Sequence, residues 1–154
     1  IAFTTLNLMP SLKETMLANL REMVKLQRAA YDSMFKFSIK KMWPISLIAP
    51  QADWIRITRM MGDLKTKCKE QKEFLARERA SVPETDLPFL NLLPDYFDSF
   101  AKVAQLLGEA AAYRQDALEK KIKIGIKRWN SILKSYNEAS DRMATMGIVM
   151  YKAY

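Results

Sequence analysis

All six prolines of this 154-residue chain fall in three places: Pro10 alone, Pro44 with Pro50, and Pro83 with Pro88 and Pro94. Proline lacks a backbone donor and clashes with the preceding turn, so these positions punctuate helices. Three proline-free stretches lie between them, 11–43, 51–82 and 95–154. Only four glycines are present, too few for the tight turns of an all-β fold, and 49% of the residues are hydrophobic, enough for a core. The expectation is one all-α domain over 1–154: an elongated helical bundle or coiled coil. Two helices of about 30 residues would pair with a long C-terminal helix of about 60.

Periodicity supports each stretch. Ser11-Leu12-Lys13-Glu14 reads as a capping box after Pro10. Beyond it Met16, Leu20, Met23, Gln27, Ala30, Met34 and Phe37 alternate at four and three, predicting a helix over 11–42. Trp54, Ile57, Met61, Leu64, Cys68, Gln71 and Leu75 predict a second helix over 51–81, with lysines and arginines on the other face. Cys68 lies within the apolar seam and reads as a core residue rather than a reactive thiol. Elbows are expected at 43–50 and 82–94.

The third stretch opens with Phe97, Phe100, Ala104, Leu107 and Ala111 and closes with Trp129, Leu133, Tyr136, Met143, Met150 and Tyr154 in step. Between them Arg114, Leu118, Ile122 and Ile126 are spaced by four, a stutter that unwinds a coiled coil locally, and Gly125 weakens the helix there. One helix over 95–153, bent near Ile122–Ile126, is favoured over two joined at that point. The two shorter helices laid end to end would line a single 60-residue helix; folded as a compact hairpin they would cover half of it and leave a bare apolar arm. The apolar residues at its far end, Met143, Met146, Met150, Tyr151 and Tyr154, then read as an interface for a partner helix, from another subunit or a second copy. On that reading the isolated chain aggregates.

The chain has no histidine and one cysteine. Histidine-based acid–base, nucleophilic and metal chemistry is therefore excluded, as is a thiolate zinc site. No glycine-rich phosphate loop occurs. Carboxylate pairs such as Asp95/Asp98 and Glu138/Asp141 read as helix capping and solvated surface. The expectation is a non-enzyme without cofactor or metal.

Net charge is +8 but uneven: the front is basic, 78–119 is acidic, and 120–134 holds six basic residues and no acid. Those six are Lys120, Lys121, Lys123, Lys127, Arg128 and Lys134, with Lys120, Lys127 and Lys134 seven apart on one predicted face. They are the candidate contact for anionic lipid or an acidic partner, or else a solvated face. Nucleic acid is disfavoured, because Trp129 falls in the apolar seam rather than among the charges. Lys40, Lys41 and Trp43, before the short apolar run to Ile48, read as an interfacial anchor or a packed loop. Ile1–Met9, mostly apolar and uncharged, reads as a docking segment. No apolar run is long enough to span a membrane. Ile1 in place of an initiator methionine fits a removed targeting peptide or a trimmed chain.

Leu87-Pro88 before a long helix, the aromatics Tyr96, Phe97, Phe100 and Tyr113, and the lysines from Lys120 resemble the third helix of BAR-domain proteins, over about Lys72–Lys123. The resemblance implies a crescent dimer that contacts anionic membrane. The leading expectation is an accessory or scaffold subunit of a larger membrane-associated assembly, with the mitochondrion as a fitting compartment. A peripheral BAR-like membrane binder is the alternative.

Overall fold

The computed structural model describes residues 11–35 and 53–154. They form four helices and no strand: α1 (Leu12–Phe35), α2 (Trp54–Glu78), α3 (Leu87–Glu119) and α4 (Ile126–Ala153). Short 3-10 turns at Arg79–Ser81 and Glu84–Asp86 join α2 to α3. The predicted extension of the first helix to 42, the 43–50 elbow, Lys40, Lys41, Trp43 and the Ile1–Met9 segment lie outside the described residues.

Local chemistry sets the helix starts. Ser11 Oγ accepts from the Glu14 amide at 3.2 Å, the expected half of the capping box. Asp53 caps α2 by accepting from the Arg56 amide at 3.0 Å.

The third stretch departs from expectation at its start and at its middle, while its end at Ala153 agrees. Its helix begins at Leu87, not 95, with Pro88 in the first turn and Pro94 inside. Pro94 removes the bond to the Leu90 carbonyl, a cost of about 3 kcal/mol. Phe89, Leu90 and Leu93 are fully buried beside it, at about 1.5–3 kcal/mol each, so packing outweighs the proline.

The predicted 60-residue helix is two helices. α3 stops at Glu119 in a Schellman turn: the Ile122 amide donates to Ala117 O at 3.0 Å and the Lys121 amide to Leu118 O at 3.2 Å. Lys121 takes the left-handed conformation that this turn requires (φ 53°). The chain then reverses, and Gly125 opens α4 in extended conformation. The Gly125 amide donates to Tyr113 Oη at 2.9 Å, which pins the reversal to α3.

Neighbouring helices run antiparallel. Lys72 on α2 meets Asp98 on α3 at 2.5 Å, while Trp54 at the other end of α2 lies near Arg114. Tyr96 on α3 faces Gly147 on α4, and Tyr113 faces Gly125. α1 crosses to α2 through Asn19–Gln71 and to α4 through Gln27–Tyr136. α3 is central: Phe89, Phe97, Phe100, Val103 and Leu107 are fully buried in a core to which all four helices contribute. Small residues bring backbones close. A Cβ on Gly108 would lie 3.2 Å from Met61 Cβ, and one on Gly147 would lie 3.3 Å from the Tyr96 ring.

Candidate functional site

The reversal between α3 and α4 gathers the basic block at one tip of the molecule. Lys120, Lys121 and Lys123 lie in the turn, and Lys127 and Arg128 in the first turn of α4; all five are exposed. Within 120–128 there is no acidic residue. Lys120 reaches back to Asp116 at 3.2 Å, an exposed pair of small energetic weight that leaves the lysine free to turn outward. Arg128 lies over the Tyr113 ring at 5.2 Å, which holds the start of α4 against α3.

The predicted single face of Lys120, Lys127 and Lys134 does not form, because the chain reverses between the first and second of them. Lys127 and Lys134 share the outer side of α4, and Lys120 stands at the end of α3.

The feature that sequence reasoning missed is apolar. Ile122 and Ile126, read as part of a stutter within one long helix, are 58% and 76% exposed, and Leu118 beside them is also exposed. They protrude among the lysines. The signal was present in the spacing of four from Arg114 to Ile126, read as a bend rather than as side chains carried out of the core.

The predicted partner interface at the end of α4 is largely internal. Met143 and Met150 are buried, and Met146 packs against the core. The Tyr154 ring meets Phe89 edge-on at 5.0 Å and carries Lys13 Nζ over its face at 4.1 Å. Because the chain folds back, this stripe meets α1 and α3 instead of projecting beyond them as a bare apolar arm. Tyr151 and, to a lesser degree, Tyr154 face solvent, Tyr151 beside exposed Ile148 and Val149.

Cys68 is buried as expected. Burial, with Asp98 as a lesser cause, pushes its thiol up to about 12. Burial also raises the Tyr96 and Tyr136 hydroxyls to about 12. Arg114 lies between Trp54 and Trp129, 5.3 Å from each ring, and burial lowers its pKa. Gln27–Tyr136 joins α1 to α4, and Arg114 on α3 lies between Trp54 on α2 and Trp129 on α4. Asp98, one of the paired carboxylates, engages Lys72. Among the described residues no cluster of acidic and thiol side chains could hold a metal, and no helix is long and apolar enough to cross a membrane.

No protein-family model, curated protein or solved structure matches the chain.

Proposed function

We propose that this chain is a non-catalytic accessory subunit of a membrane-associated assembly, and that it touches anionic lipid through the α3–α4 tip. The observation that carries this reading is the exposure of Ile122 and Ile126 within residues 120–128, which hold five cations and no acid. A solvated basic face needs no protruding isoleucines. An interfacial anchor needs both, since cations draw the tip to anionic headgroups and the apolar side chains enter the acyl boundary. Each cation near such a surface contributes about 1 kcal/mol, and each inserted isoleucine roughly 1.5–3 kcal/mol.

The test is sedimentation with phosphatidylserine-containing vesicles, using phosphatidylcholine vesicles as control. The chain binds the first at low salt and releases as salt rises. Changing Lys120, Lys121, Lys123, Lys127 and Arg128 to Gln abolishes binding. Ile122→Ser with Ile126→Ser weakens it at every salt concentration, by about 100-fold or more. Absence of binding at low salt refutes the membrane contact.

A BAR-like dimer is the second reading. It shares the anionic-lipid contact, but it draws on a long third helix, whereas α3 has 33 residues and ends at the tip. We therefore favour contact through the tip over contact along a curved face.

A further inference from the structure

α1 and α4 meet at two places and stand apart between them. At one, Tyr31 stacks on Tyr136 at 5.6 Å and Gln27 Nε2 donates to Tyr136 Oη at 2.6 Å. At the other, Lys13 reaches the Tyr154 carbonyl and ring. Between Tyr136 and Tyr154 α4 rises roughly 27 Å. The gap is an open groove of ≈ 560 Å³ floored by Tyr96, Val103 and Met143, with Arg28 on the α1 lip and Ile148 and Lys152 on the α4 lip.

We propose that this groove receives an amphipathic helix of a partner protein, one whose apolar stripe is flanked by acidic residues. Three observations define that occupant. The apolar surface does not end at the floor: Ile148 is 59% and Tyr151 64% exposed on the α4 lip. A helix about 10 Å across covers floor and lip together, whereas a single acyl chain would fill the floor and leave the lip in water. The lips are cationic, and neither Arg28 nor Lys152 has a carboxylate partner among the described residues. An acidic helix would supply those partners, and a basic one would be repelled. The same face of a second copy is disfavoured, since it would set the cationic lips of the two copies, Arg28 and Lys152, against their like.

The inference rests on the chain being a protein-binding accessory subunit, but not on its membrane contact. The test is therefore run without lipid. Two fluorescent helical peptides of about 15 residues share a leucine stripe with spacing i, i+3, i+4, i+7 and differ only in flanking Glu or Lys. Each is titrated with the full chain and followed by anisotropy.

The Glu peptide binds in the micromolar range and the Lys peptide at least 10-fold more weakly. Arg28→Glu with Lys152→Glu reverses the order. Ile148→Ser with Tyr151→Ser weakens the Glu peptide about 10-fold. All four side chains are exposed, so these variants keep the wild-type thermal melt. The tip variants bind the Glu peptide normally, which separates failure of this site from failure of the membrane contact. No binding of the Glu peptide at about 1 mM, equal binding of both peptides, or indifference to the lip variants overturns the proposal. Stoichiometric displacement of the Glu peptide by oleate overturns it in favour of an acyl ligand. A concentration-dependent dimer abolished by the lip variants overturns it in favour of a second copy.

Discussion

Gln27 is the buried polar side chain of the described core, at 8% exposure, and its amide is satisfied by Tyr136. Removing the hydroxyl leaves the amide without that partner. Tyr136→Phe therefore costs about 1–3 kcal/mol, read as a lower denaturation midpoint at unchanged slope. Gln27→Leu in that background recovers part of the loss, because an apolar pair needs no hydrogen bond. Cys68 gives a second prediction at this scale. Buried and held protonated, its thiol reacts with a water-soluble disulfide reagent at pH 8 at least 100-fold more slowly in the native chain than in denaturant. Wild-type labelling at the denatured rate would refute the burial argument.

One helix boundary and one helix contact turn on residues that break sequence rules. Lys121 occupies a left-handed position where glycine is the usual choice. Lys121→Gly relieves about 1 kcal/mol of backbone strain and raises the melting temperature by a few degrees, the opposite of what glycine does inside a helix. Gly108 is the converse case. Its missing side chain is what lets α3 approach Met61, so Gly108→Val overpacks the α2–α3 contact and destabilises by about 1–3 kcal/mol, measured by chemical denaturation. These residues also explain how far the chain was legible. All-helical character, the Ser11 cap and the seam from Trp54 to Leu75 followed from periodicity, which depends on neighbours three and four residues away. The reversal at 120–125 did not. A lysine carries no mark of the conformation it adopts, and Gly125, the visible signal, opens the next helix instead of closing the last. The exposure of Ile122 and Ile126 was lost with it, since an isoleucine's place inside or outside is decided by where the backbone turns. Met143 and Met150 were placed on an apolar face correctly, but the neighbour that fills that face is set by tertiary structure.

At the scale of the whole molecule, three buried acids tie the fold to pH. Tyr96 and Tyr136 rise from 10.0 to about 12 and Cys68 from 9.0 to about 12, burial being the first cause in each. The folded chain therefore keeps these protons longer than the unfolded chain. Their contribution to stability is complete below about pH 9 and is lost as pH rises towards 12. Denaturation midpoints measured from pH 8 to 11 fall with rising pH, and Tyr136→Phe flattens the fall. The open side between α1 and α4 bears on something else, the order in which the helices assemble. α2, α3 and α4 pack lengthwise on sequence neighbours through short connections, so they can condense from local encounters. α1 faces a groove on its α4 side and docks onto that three-helix unit last. Native-state amide exchange then reads out a chain that opens by stages, with α1 releasing its protection in weaker denaturant than α3.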